Sequence, residues 1–298
     1  MTYCYIGGYG RSGSTLIDII LGNQKDVISL GAIDNIWNWI DQDNKCACEA
    51  TLEDCDFWSK ILVETEKRLS FKYSNKEKNQ LCKSFESIYG IKYLILGKFY
   101  KDKLSKYIEL QNTFLEVIKE FTKAKIIVDS SKTTYDSILR PFLIGKYVEK
   151  NILLIHLKRK LGGVTWSSMK KAGSPERKRL IKSKFIIFLK SYFSCIVTDL
   201  LTTIIYSKRN YYFSLKYENY VSKNGIKIIQ KIFEEFAVDL KNKIVFKNLK
   251  SYNSFHNIGG NRLRFEKGIK IKYDESWIKN QKLFFKFLCS IGDLIRYY

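Results

Sequence analysis

Gly7-Gly8-Tyr9-Gly10-Arg11-Ser12-Gly13-Ser14-Thr15-Leu16 is the stretch that decides how this chain folds. An apolar run, Tyr3 to Ile6, comes before it, and the helical pattern Leu16-Ile17, Ile19-Ile20-Leu21 comes after it. A glycine-rich turn between a strand and a helix gathers several backbone N–H groups, and the positive end of the helix dipole, around one point. Such a point suits a phosphate or sulfate group. Glycines alone would fit a plain turn equally well; the Arg-Ser-Gly-Ser-Thr run is what turns the reading toward an anion site.

The spacing from Gly8 to Gly13, followed by Ser14-Thr15, is that of a nucleoside-triphosphate phosphate loop. Ser14 stands where that loop carries its lysine, and the basic group sits inside the turn instead, as Arg11. Three further apolar, branched runs end in polar turns. Lys125-Ile126-Ile127-Val128 leads into Asp129-Ser130-Ser131-Lys132, Ile152 to Leu157 into Lys158-Arg159-Lys160, and Tyr211 to Leu215 into Lys216-Tyr217-Glu218. Runs of this kind read as central strands of a parallel sheet, buried on both faces. Helical periodicity separates them, as in Phe114, Val117, Ile118 and Phe121, or Ile228, Ile229, Ile232, Phe233 and Phe236. Strand-helix alternation predicts a three-layer α/β/α fold around a central parallel sheet, with ligands at the carboxyl ends of the strands. Residues from about 59 to 120 read as a Lys/Glu-rich helical insertion. Without a linker or repeat, residues 1–298 read as one domain.

Bulk composition narrows the function classes. With 45% apolar residues, 2 prolines and 17 glycines, 298 residues describe a folded protein. The net charge of +22 admits nucleic acid, anionic lipid or an anionic cofactor. Most of the 52 basic residues are lysines scattered along the chain, which reads as general composition rather than a nucleic-acid stripe. Clusters such as Lys170-Lys171 and Arg177-Lys178-Arg179-Lys182 still steer acidic ligands. The most apolar segment, Phe185 to Tyr206, carries Lys190 and Asp199, so it reads as a core helix and not a membrane span. Seven cysteines, with no visible secretory leader, predict free thiols in a reducing, cytoplasmic setting.

Taken together the motifs resemble the sulfotransferase family that uses 3′-phosphoadenylyl sulfate (PAPS), in its bacterial form with a P-loop-like fold. The Arg11-Ser12-Gly13-Ser14-Thr15 loop corresponds to the family's 5′-phosphosulfate grip, and Arg159 with Ser167 to its 3′-phosphate grip. Gly259-Gly260-Asn261-Arg262-Leu263-Arg264-Phe265, with Asp274 and Trp277, resembles a C-terminal stretch of the family. Cys46-x-Cys48, Cys55 and Phe57-Trp58 resemble another, as do Asp129-Ser130-Ser131-Lys132 and Tyr217-Glu218-Asn219-Tyr220. The resemblance runs from residue 6 to about 280. It implies that Gly10, Arg11, Ser12, Gly13, Ser14, Thr15, Arg159, Ser167, Arg262 and Arg264 hold PAPS as donor and 3′-phosphoadenosine 5′-phosphate (PAP) as product. It also implies an acceptor hydroxyl or amine on a small molecule, lipid or carbohydrate, with the basic excess leaning toward an anionic one.

Two departures matter. The family's Arg-Asp-Pro-Arg-Gly turn reads Arg159-Lys160-Leu161-Gly162-Gly163 here, and its Gly-Glu after the first helix reads Gly31-Ala32. The missing carboxylate leaves the general base open, with Asp34 the nearest candidate. His256 is an outside candidate, whereas His156, inside an apolar strand, reads as a core histidine. Sulfuryl transfer depends on position and charge stabilisation, much as phosphoryl transfer does. Arg11 and Lys132 are the expected catalytic cations, and a donor with one sulfate leaves no phosphate pair for magnesium to bridge. A kinase would want a lysine at position 14, while a degenerate, nucleotide-binding form without transfer would fit Ala32. Cys46, Cys48 and Cys55 lack the paired Cys-x-x-Cys spacing of a strong zinc site, so a structural loop of free thiols, and no metal, is expected.

Overall fold

The computed structural model describes residues 1–172, 184–235, 256–260, 262–265 and 271–297. Five strands, β1 (Thr2–Gly7), β2 (Val27–Gly31), β3 (Ile126–Asp129), β4 (Ile152–Lys158) and β5 (Tyr212–Lys216), form one sheet. Every pairing in it is parallel and the order is β2-β3-β1-β4-β5.

The helices follow in chain order. The phosphate-loop helix α1 (Ser14–Gly22) is succeeded by α2 (Ile36–Ile40), α3 (Trp58–Arg68), α4 (Asn75–Glu86), α5 (Ile91–Ile95) and α6 (Lys101–Thr122). After β3 comes α7 (Arg140–Tyr147), and after β4 come α8 (Leu161–Ala172) and the long α9 (Lys184–Tyr206). The chain closes with α10 (Tyr217–Tyr220), α11 (Gly225–Glu235), α12 (Ser276–Asn280) and α13 (Leu283–Tyr297). Helices α3 to α6 span the stretch read from the sequence as a helical insertion, and α4 begins in a capping box in which Ser74 and Glu77 satisfy each other's backbone.

Strand alternation explains the layers. Tyr3, Tyr5, Ile127, Ile152 and Leu154 face one core, shared with Trp58, Phe85, Phe114 and Ile118 of the insertion. Their immediate neighbours Cys4, Ile6, Val128, Leu153 and Ile155 face the other, shared with α1 and α11. Side chains at period two leave the sheet on opposite faces, so these continuous apolar strands bury both. A third cluster joins α8, α9 and α13 through Leu161, Phe188, Cys195 and Cys289.

Strand β2 escaped the sequence reading. Its five residues, Val-Ile-Ser-Leu-Gly, are short, and Ser29 interrupts the apolar run. The strand lies at one margin of the sheet, and Ile258 covers its outer side. Ile258 N–H donates to Leu30 O at 3.0 Å, and Ala32 N–H donates to Ile258 O at 2.8 Å. Gly31 permits this contact: φ is +80°, and a Cβ there would fall on the Ile258 backbone.

Helix α9 is long and apolar enough, by length and composition, to cross a membrane. Its Asp199, however, is buried beside β4, where it accepts from His156 Nε2 at 3.1 Å and pairs with Arg296 of α13. A carboxylate committed to a histidine and an arginine in the interior marks a core helix. His156 completes its own bonding through Nδ1 and Tyr212 Oη at 2.8 Å, and burial lowers its pKa. It is the core histidine the sequence suggested.

Candidate functional site: a basic cavity at the phosphate loop

The turn after β1 is built around backbone conformations that restrict side chains. Gly8 has φ +101° and Gly13 φ +94°, and a Cβ on Gly13 would collide with the Tyr220 hydroxyl and the Tyr217 ring. Arg11 takes the left-handed region at φ 71° without being glycine. Gly13 caps α1, and the Gly13 carbonyl accepts from Leu16 N–H at 2.9 Å and from Tyr220 Oη at 2.9 Å. The first N–H groups of a helix lack intrahelical partners, so this end of α1 presents donors and positive dipole to whatever lies ahead.

What lies ahead is a cavity of about 470 Å³, lined by Gly10, Arg11, Gly13, Ser14, Thr15, Leu16, Lys132, Arg159, Ser167, Tyr217, Gly260, Leu263, Lys272 and Asp274. The loop, the Asp129–Lys132 turn, the end of β4 and the middle of α8 thus converge on one space, as expected where parallel strands end. The arginines at 11 and 159 share it. Arg159 donates from Nη1 to the Arg11 carbonyl at 3.1 Å and from Nη2 to Asp274 Oδ2 at 3.1 Å, while its guanidinium lies 4.3 Å from the centre of the Tyr217 ring. Gly163 makes room for it, since a Cβ there would stand 2.6 Å from Arg159 Nε.

Lys132 reaches the cavity from a turn laced to the phosphate loop. Lys132 N–H donates to Ile6 O at 3.1 Å, Thr133 Oγ1 accepts from Gly8 N–H at 2.9 Å, and Tyr5 Oη donates to the Lys132 carbonyl. Lys132 is itself left-handed, at φ 72°. Burial lowers its pKa, and the charges of Asp34 and Asp18 oppose that effect. The Asp129 carboxylate organises the turn by accepting from Ser131 N–H at 2.9 Å. A buried network anchors Asp129 in turn: Arg140 Nε donates to it at 2.9 Å, and Tyr3 Oη also donates to it. Arg140 further binds Glu86 of α4, and Gln111 of α6 at 3.2 Å, joining insertion to sheet.

Among the described residues, the lining sets the charges of Arg11, Lys132, Arg159 and Lys272 against one carboxylate, Asp274. Burial works to raise the Asp274 pKa, but bonds from Ser276 and Arg159 prevail and hold it below the usual carboxylate range. Such a cavity favours anions, and its volume falls in the roughly 300–1,000 Å³ span common to small-ligand sites. Within the loop, the Ser12 hydroxyl is buried with no hydrogen-bond partner among the described residues.

The sequence reading placed Gly10, Arg11, Gly13, Ser14, Thr15, Lys132, Arg159 and Ser167 here, and all of them line the cavity. Ser12 is buried and is not among the lining residues. Asp34 does not line it: its carboxylate pairs with Lys83 at 3.5 Å, and its N–H donates to Ser131 Oγ at 2.9 Å. Leu263 lines the cavity from the 3₁₀ turn Arg262–Phe265, but the side chains of Arg262 and Arg264, like Asn261, lie outside the described residues. So do Phe236 and the Arg177–Lys182 cluster. His256 stacks on Phe57 at 4.9 Å and sits among cysteines, away from the cavity lining.

Lys272 was missed, being one lysine among many. Tyr217 and Asp274 were visible only as members of longer motifs, with nothing to indicate that both would touch Arg159. Asp18 was also missed. Buried on α1, it accepts from Ser29 and from Asn257 Nδ2 at 2.6 Å, and burial pushes its pKa up to about 7.

Among solved structures, the sulfotransferase domain of the Synechococcus PCC 7002 olefin synthase matches with a TM-score of 0.54 at 12% identity, over 100% of this chain and 95% of that one. The fold is that of a sulfotransferase domain. The sulfotransferase domain of the curacin biosynthetic pathway gives a TM-score of 0.49 at 14% identity, over 97% and 96% of the two chains. A sulfotransferase of Mycobacterium avium gives 0.46 at 15% identity, over 81% of this chain and 65% of that one. No family model and no curated protein matches the sequence. The sulfotransferase fold agrees with the P-loop-like, parallel three-layer arrangement expected from the sequence.

Proposed function

We propose that residues 1–298 act as one cytoplasmic sulfotransferase domain that moves a sulfuryl group from PAPS to a hydroxyl or amine of a small-molecule, lipid or carbohydrate acceptor, leaving PAP. The observation that carries the reading is the shared cavity of Arg11 and Arg159, with Ser167 on its wall and the N-terminus of α1 at its floor. A donor bearing phosphates on both the 5′ and 3′ sides of one ribose needs two anion-binding groups on one space. The cationic lining suits such a ligand.

When bound, PAPS supplies a sulfuryl group already activated on a phosphate. The loop from Gly10 to Thr15 would hold the 5′ side through backbone N–H groups, the Thr15 hydroxyl and Arg11. Arg159 and Ser167 would hold the 3′-phosphate, with Arg262 and Arg264 proposed as further cofactor contacts. Lys132 would meet the negative charge that develops on the departing side, a stabilisation that acts most strongly in a water-poor site. Asp34 is the proposed proton acceptor, a role that requires its carboxylate to leave Lys83 and turn to the acceptor; its charge also favours the ammonium form of Lys132. No metal is assigned to the transfer.

Calorimetric titration with PAP against 5′-AMP tests the reading. The wild type is expected to prefer the 3′-phosphorylated nucleotide. Arg159→Ala is expected to erase about 10- to 100-fold of that preference, the worth of charge-assisted hydrogen bonds to one phosphate. Equal affinity of the wild type for both nucleotides would refute it. A second reading, nucleotide binding without transfer, is favoured by Ala32 and by the engagement of Asp34 with Lys83. Labelled PAPS with an acceptor panel separates the two.

A further inference from the structure

We propose that Cys46, Cys48, Cys55 and His256 form a closed, tetrahedral, structural zinc site. Their ligand atoms all lie within 4.8 Å of one another. Zinc at the centre of a tetrahedron, with Zn–S near 2.3 Å and Zn–N near 2.0 Å, requires sulfur–sulfur edges of about 3.8 Å and sulfur–nitrogen edges of about 3.5 Å. Cys48 Sγ and Cys55 Sγ are 3.6 Å apart, Cys55 Sγ is 3.2 Å from His256 Nδ1, and Cys46 Sγ is 3.9 Å from it. Three sulfurs and one imidazole nitrogen therefore already stand close to the edges of that tetrahedron.

The surroundings fit thiolates. The Cys46 sulfur accepts from the backbone N–H of Cys48, the Cys48 sulfur from Ala50, and the Cys55 sulfur from Phe57 and Trp58. Donors two and three residues onward satisfy negative sulfur, and second-shell bonds of this kind orient ligands and tune the metal. The imidazole is held too: Phe57 stacks on it with an interplanar angle of 10°, and Trp58 Nε1 donates to the His256 carbonyl at 2.6 Å. Cys46 and Cys55 are buried. Three soft sulfurs with one imidazole select zinc over magnesium, calcium or manganese.

The expectation of free thiols rested on the lack of a Cys-x-x-Cys pair, and the fourth ligand lies 201 residues beyond Cys55. The fold brings them together because Asn257 and Ile258, the residues after His256, are held in place. The Asn257 carbonyl accepts from Ala47 N–H at 3.0 Å, and Ile258 pairs with the edge of β2. Gly260, two residues further, is a wall of the basic cavity. All four corners come from the protein, so the ion has no open position and its role is architectural. It clasps the Cys46–Cys55 loop to the segment that closes the cavity.

The test is metal analysis of the full chain, purified without chelators after growth with added zinc. One zinc per chain is expected by mass spectrometry. Cys55→Ser and His256→Ala should lower it at least tenfold, while His256→Cys, which restores a fourth ligand, should retain it. Cobalt(II) exchanged into the wild type should give thiolate charge-transfer absorption and the intense visible bands of a tetrahedral ion. Two wild-type results would overturn the site without any variant having to fold. One is a metal-free chain with all thiols alkylatable. The other is a metal-free chain lighter by two hydrogens, showing a Cys48–Cys55 disulfide. A cobalt spectrum lacking charge transfer would also overturn it. The site is independent of donor binding, so failure of the PAP titration leaves this result standing.

Discussion

Replacing Arg140 is the severest single test of how the insertion and the site are joined. Its side chain is 2% exposed and serves the carboxylates of Asp129 and Glu86, the amide oxygen of Gln111 and the hydroxyl of Tyr3. At about 3 Å and an effective dielectric near 20, each ion pair is worth roughly 5 kcal/mol before desolvation. Desolvation cancels much of that in the intact network, but Arg140→Ala leaves two buried carboxylates without their cation. Breaking a buried pair from one side costs about 3–5 kcal/mol. For a chain of this size, with an unfolding entropy of about 0.6 kcal/mol/K, that is a fall in melting temperature of about 5–8 °C.

The pH dependence carries the diagnostic sign. Burial raises the Glu86 pKa and Arg140 opposes that rise. Removing Arg140 lets it climb further. A raised carboxyl pKa gives stability present at low pH and lost as pH rises from the unfolded value toward the folded one. The deficit of the variant should therefore be largest near neutrality and shrink toward pH 4. Urea denaturation at several pH values, with Arg140→Met as a volume-preserving companion, measures it. A deficit below about 1 kcal/mol at pH 7, or one that does not vary with pH, would refute the argument, since only exposed pairs cost so little.

Asp18 has the same sign on its own: with its folded pKa raised to about 7, its contribution is lost as pH rises from the ordinary carboxylate range to neutrality. Asp18→Asn should flatten that part of the stability–pH curve, and an unchanged slope would contradict it. For transfer, Lys132→Met should lower kcat by about 10²–10³, as removal of a charge-stabilising donor does, with PAP affinity changed far less. Asp34→Asn should lower kcat while leaving PAP binding intact, and undiminished turnover would remove Asp34 as proton acceptor.

Strands β1, β3 and β4 and the phosphate loop were legible because buried parallel strands are written as continuous apolar runs that end in polar turns, and the half-exposed edge strand β5 was legible from its aromatic run before Lys216-Tyr217-Glu218. Strand β2 was not: like β5 it is a five-residue edge strand holding a serine, but it runs on into Gly31-Ala32-Ile33 without the charged turn that marks the end of β5. Within the site, Arg11, Lys132 and Arg159 could be read from where strands end. Lys272 could not, since nothing local separates it from 41 other lysines. The cysteine cluster shows the same limit from the other side: spacing along the chain said little, because the fourth ligand arrives through the tertiary fold.

Ile258 capping the outer side of β2 has a consequence for how the chain is made. A ribosome delivers β1, β2 and β3 early, and Gly31 then waits more than two hundred residues for its neighbour. Until then the sheet has an open flank, with unpaired backbone groups that another nascent chain could join. Truncation before residue 256 would leave that flank open for good. Such fragments should be sticky and short-lived, so the late segment guards a strand made more than two hundred residues before it.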